Sequence, residues 1–107
     1  MLTGCRQSFQ DREIPNDLLS HDKMVDILKE LVELEAHIKS KYVAVTQYHN
    51  AMKLSGDSLM NAHGISFDTF DASMNYYGMD QKEMKSIYSD VLDQLNHELG
   101  ELQSNSD

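Results

Sequence analysis

The stretch G-I-S-F-D-T-F-D-A-S-M-N-Y-Y-G-M-D, residues 64–80, decides the fold because it carries the sharpest local structural instructions in the chain. Phe67, Phe70, Met74 and Tyr77 recur at intervals of three and four, which places all four on one face of a helix. Ser73 shares that face and is small enough to let a neighbouring element approach. Ser66 stands where an N-cap is needed, its hydroxyl able to accept from an otherwise unpaired first-turn N–H, and Asp68 complements the positive end of the helix dipole. Gly78 is expected to close the helix with φ > 0, free of a Cβ penalty. Asp80 then opens D-Q-K-E, an N-cap with Glu83 at the third helical position in the manner of a capping box. The spacing predicts a short helix over about 67–77 and a tight corner into the next.

That next helix is predicted over about 81–103. Met84, Ile87, Tyr88, Val91, Leu92, Leu95, Leu99 and Leu102 form an unbroken apolar stripe that needs a partner along most of its length. Gly100 weakens its end, and residues 104–107 read as a frayed tail. On the N-terminal side, Ser20 caps a helix whose stripe runs through Met24, Ile27, Leu28, Leu31, Leu34, Ile38 and Tyr42. Past Tyr42 the pattern weakens, yet Tyr42, Val45, Tyr48 or His49, and Met52 keep helical spacing. One long helix is therefore expected over about 20–53, broken at Ser55-Gly56, with an extra turn or two at 57–63 ending at His63-Gly64. The two long helices are expected to pack antiparallel or at a shallow angle, the short one closing the open side. Ile14-Pro15 and Leu18-Leu19 form an apolar lead-in that folds back onto them. The expected architecture is a small all-α bundle, a single domain over 14–103. Its core signature is Met24, Leu28, Phe67, Phe70, Ser73, Met74, Tyr77, Ile87, Tyr88 and Val91.

Composition bounds the function. A chain of 107 residues supports one core, and the absence of Trp with only one Pro favours helices. Nine Lys and Arg against eighteen Asp and Glu leave a formal charge of −9, a field that repels phosphate backbones and anionic lipid, so nucleic acid is not an expected partner. No run approaches the ~20 apolar residues that span a bilayer. The single Cys5 excludes an intrachain disulfide and any multi-cysteine metal site.

The candidate chemistry is sparse. Of His21, His37, His49, His63 and His97, two have a carboxylate one helical turn away, Glu33 with His37 and Asp93 with His97. One imidazole and one carboxylate fall short of the three or four ligands of a zinc site, so no metal or other cofactor is expected. No serine sits in a glycine-flanked elbow and no glycine-rich phosphate loop occurs. Asp68, Asp71, Glu98 and Glu101 read as solubilising charge, and no catalytic residue is nominated; the chain is not expected to be an enzyme. Tyr76 lies about 100° round the helix from Tyr77, so one of the two is expected to be partly exposed; Tyr76 and Tyr48 are the candidate interface residues.

The first five residues, M-L-T-G-C, place Leu, Thr and Gly ahead of Cys5 in the pattern of a bacterial lipobox, where the cysteine becomes the acylated N-terminus. The polar R-Q-S-F-Q-D-R-E that follows suits a disordered tether over residues 1–13. The competing reading is a free thiol near a frayed chain end. The basic and apolar segments of a signal peptide are absent from this sequence, and an in-frame segment of that kind upstream of Met1 would decide the compartment.

Three blocks, K-M-V-D-I-L-K-E-L at 23–31, A-H-G-I-S-F-D-T-F-D-A-S-M-N-Y-Y-G at 62–78 and I-Y-S-D-V-L-D-Q-L at 87–95, resemble the DUF4296 family, small helical lipoproteins of Bacteroidetes. The resemblance covers about Ile14 to Leu102, excepting Tyr42–Gly56. It implies an envelope-anchored helical domain and carries over no catalytic or binding residue. The lysine and acidic cluster that often follows the cysteine of surface-exported lipoproteins is not directly after Cys5, which points to the periplasmic side of the outer membrane. The expected function is a non-catalytic lipoprotein that binds or supports an envelope protein near Tyr76 or the Tyr42–Met60 region. The alternative is a soluble cytoplasmic helical adaptor or regulator with a chance lipobox-like start, and a metal-binding protein is the third.

Overall fold

A computed structural model describes residues 14–42 and 44–105, of residues 104 and 105 the backbone alone. The expected tether over 1–13, with Cys5, lies outside the described residues. Four helices are present, α1 over His21–Lys41, α2 over Val45–Ala62, α3 over Phe67–Gly78 and α4 over Gln81–Asn105, with no strand among the described residues. The fold is a small all-α bundle.

The lead-in does fold back. Leu18 N–H closes a turn on the Pro15 carbonyl, and Leu19 is then held by both its backbone groups: its N–H donates to Ser73 Oγ at 3.1 Å and its carbonyl accepts from Tyr77 Oη at 2.5 Å. Ser73 is fully buried because this backbone lies directly against it, the close approach its small side chain permits. Ser20 then caps α1, its hydroxyl accepting from Lys23 N–H at 3.1 Å.

The helix expected over about 20–53 is two helices. α1 ends at Lys41, Tyr42 and Ala44 are extended, and α2 starts at Val45 with no side-chain cap. The chain reverses there, so that Tyr48 reaches Glu35 and His63 reaches Glu30. A single helix of 34 residues would run about 50 Å and carry its second apolar face past any partner. The reversal buries Ile38 and Met60 instead. Ser55-Gly56, expected as a break, lies inside α2, which continues to Ala62. The true stop is Gly64, whose φ of 71° makes a Schellman turn: Gly64 N–H donates to Asn61 O and Ile65 N–H to Met60 O, while Ile65 packs against the core that holds Met60.

α3 has the expected start, Ser66 Oγ accepting from Thr69 N–H at 3.2 Å. Its end differs from expectation. Gly78 is the last helical residue and does not have positive φ; the corner is made by Met79 and Asp80 N–H groups donating to Tyr76 and Tyr77 carbonyls. Asp80 Oδ1 caps α4 through Lys82 and Glu83 N–H, but Glu83 does not complete a capping box, because its carboxylate turns to His21.

α1 and α4 run in the same direction, so of the two expected arrangements, antiparallel or at a shallow angle, the antiparallel one is not adopted. His21 meets Glu83 and Asp90, and eight residues further along α1 Lys29 meets Glu98. A return path is therefore needed between them, and α2 followed by α3 supplies it. α1 is the central helix, packed on both α2 and α4, and its buried arc accordingly widens to include Val25. Leu19, Met24, Val25, Ile27, Met60, Phe70, Tyr77, Ile87 and Val91 form the core, with Leu28 and Met74 half-buried against it. Two signature residues are not core. Phe67 and Tyr88 are exposed, because α3 begins at Phe67 beyond the reach of α4, and the parallel α1 takes the Ile87–Val91 side of α4 rather than the Tyr88 side.

Candidate docking groove

Phe67 opens onto an apolar groove of about 370 Å³ between α1, α2 and α3. Leu31 of α1 forms one wall, Phe67 and Phe70 of α3 the other, and Met52, Gly56 and Met60 of α2 the floor, with Lys53 and Asp57 on the rim. The positions follow from helical spacing: Met52, Gly56 and Met60 are successive turns of α2, and the glycine leaves the middle of the floor open. A Cβ built at Gly56 would meet nothing within 4 Å. The two phenyl rings lie 6.5 Å apart, tilted at 50°. Phe70 is buried, whereas 56 % of Phe67 remains in water at the groove mouth.

The lining defines what the groove can do. It is mostly aliphatic, thioether and aromatic carbon, with one lysine and one aspartate. Such a surface takes apolar side chains, and its two methionines adapt to their shape. Sequence reasoning missed it by reading Ser55-Gly56 as a helix stop, although glycine midway between Met52 and Met60 at helical spacing was the available signal.

The histidines do other work. His21 Nδ1 lies 3.2 Å from Glu83 Oε1 and its Nε2 2.7 Å from Asp90 Oδ2, and these hydrogen bonds, Asp90's foremost, raise its pKa above the usual histidine value. His63 hydrogen-bonds Glu30, tying the end of α2 to α1. The Glu33–His37 and Asp93–His97 pairings are not made: His97 pairs with Glu101 at 3.1 Å, and Glu33 belongs to a cluster with Lys29 and Glu98. There, partial burial and then the Glu98 hydrogen bond push Glu33 up, while Lys29, 2.6 Å away, holds Glu98 down. Among the described residues no group of three or more His, Cys, Asp or Glu is arranged to hold a metal ion.

The two tyrosines proposed as interface residues are both half-buried. Tyr76 packs edge-on against Tyr77, ring centroids 5.6 Å apart, and rests on the core. Tyr48 lies near Glu35, whose carboxyl Lys39 chiefly holds below the usual range. Neither lines the groove, but its floor falls within the Tyr42–Met60 region named from sequence. No helix among the described residues is long and apolar enough to cross a membrane.

Comparison with curated proteins and with solved structures finds no match to the chain. Comparison with protein families finds one, a domain of unknown function, DUF4296, matched over residues 15–101, from the lead-in through most of α4. That span takes in every element lining the groove, and on it the chain belongs to the DUF4296 family.

Proposed function

We propose that this protein is a non-catalytic interaction module of the cell envelope, tethered through an acylated Cys5 and docking an apolar segment of a partner protein in the α1–α2–α3 groove. The groove carries the reading: an open, mostly apolar trough with an exposed phenylalanine at its mouth suits recognition of an apolar segment. The tether rests on the M-L-T-G-C start, and acyl chains at about 0.8 kcal/mol per buried CH₂ would hold such a domain firmly on a bilayer. The acidic body favours a position clear of the lipid surface, and the residues directly after Cys5, which lack a lysine and acidic cluster, favour the periplasmic face of the outer membrane.

Two measurements test the two halves separately. Labelled palmitate should enter the full-length gene product and be lost in Cys5→Ala; no label, or equal label in both, leaves a soluble adaptor as the reading, and fractionation then places it. A photoreactive side chain at Phe67 should cross-link a discrete partner in cells, and Gly56→Leu, which fills the floor, should abolish the product. Cross-linking indifferent to Gly56→Leu rules out the groove as the docking site.

A further inference from the structure

α4 has a second face that α1 and α3 leave in water. Tyr88, Leu92, Leu95, Leu99 and Leu102 follow one another at intervals of four, three, four and three, the spacing of a coiled-coil seam. Tyr88 is 48 % exposed, Leu92 59 %, Leu99 54 % and Leu102 67 %; Leu95 lies at the seam's edge, half-buried against the core. At those exposures the seam presents on the order of 400 Å² of apolar surface, as large as the patch an ordinary monomer leaves uncovered.

We propose that a second copy of this chain covers it, the two α4 helices packing antiparallel about Leu95. Three features select that occupant. The positions flanking the seam on its solvent side are Ser89, Asn96 and Gln103, all uncharged, in a chain of net charge −9. Two such acidic molecules meet here without like charges directly opposed. Next, the lysines of α4, Lys82 and Lys85, stand in its first turns, while Glu98 and Glu101 stand near its end. An antiparallel pair sets Tyr88 opposite Leu102 and brings Lys85 of one copy within about a turn of Glu101 of the other, whereas a parallel pair opposes lysine to lysine and glutamate to glutamate. Finally, the seams of two copies together approach ~800 Å², and the flanking residues carry the contact toward the ~1,200 Å² at which specific interfaces begin. The groove lies between α1, α2 and α3, so this interface is independent of it.

Sedimentation equilibrium of the full chain should give a mass that rises to twice the monomer's with concentration. Leu92→Lys with Leu99→Lys should weaken association at least tenfold while helical circular dichroism is kept, since both side chains are exposed. Orientation is read in a Cys5→Ser background. A mixture of Tyr88→Cys and Leu102→Cys chains should form the mixed disulfide, and neither chain alone should link to itself. A monomer at all concentrations, a dimer indifferent to the leucine substitutions, or self-linking of the single-cysteine chains overturns the proposal.

Discussion

Phe67 and Phe70 are the same residue type one turn apart, and their different surroundings give them different work. Phe70 is enclosed by the core, so Phe70→Ala leaves a cavity and should cost about 3–5 kcal/mol in urea denaturation. Phe67 stands mostly in water, and Phe67→Ala should cost less than ~1 kcal/mol while removing the mouth of the groove. Equal costs would mean that Phe67 is core after all. The glycines divide in the same way. Gly64 has φ of 71°, and Gly64→Ala should destabilise by about 1–2 kcal/mol because a Cβ there meets the following carbonyl. Gly100 is helical with open space around it, so Gly100→Ala should stabilise by about 0.5–1 kcal/mol. Thermal melts of the two variants should therefore move in opposite directions.

At the scale of elements, charged side chains set the register of the helix pairs. His21 at the start of α1 is held between two carboxylates on α4, and Lys29 meets Glu98 further up. The His21 pKa is raised in the folded state, chiefly by the hydrogen bond to Asp90. Its contribution is consequently fully present below the ordinary histidine value of about 6.5 and fades as pH rises through the higher folded value. The melting temperature of the natural chain should exceed that of His21→Gln at pH 5.5, and the gap should shrink by pH 8.5. A gap that widens with pH would show that His21 acts as a neutral hydrogen-bonding group. The α1–α2 pair is less firmly fixed at its open end: α2 begins without a side-chain cap, and Val45 is exposed.

Across the whole molecule, burial is concentrated around Met24, Ile27 and Ile87, all fully enclosed, and thins toward the end of α1, the start of α2 and the second half of α4. Amide hydrogen exchange should follow that gradient, slowest in α1 from Met24 to Leu28 and fastest in the first turn of α2. Uniform protection along α2 would contradict it. The helices themselves were legible in the chain, because apolar spacing and caps act within a few residues: Ser66, Asp80 and Ser20 cap as their positions demand, and Phe70, Tyr77, Ile87 and Val91 are buried as their period requires. What the sequence left undecided were choices between locally equal options. The spacing Tyr42–Val45–Tyr48–Met52 suits one helix or two, and nothing between Lys41 and Val45 is a glycine or proline. Ser55-Gly56 carries a breaker that the helix tolerates. Only the gain from folding α2 back onto α1 settles both, and the same reversal makes α1 and α4 parallel, exposes Phe67, creates the groove and leaves the Tyr88–Leu102 seam uncovered. Local chemistry thus determined which residues are helical and where most helices start; burial between elements distant in sequence decided where the chain turns back and which apolar face remains for a partner.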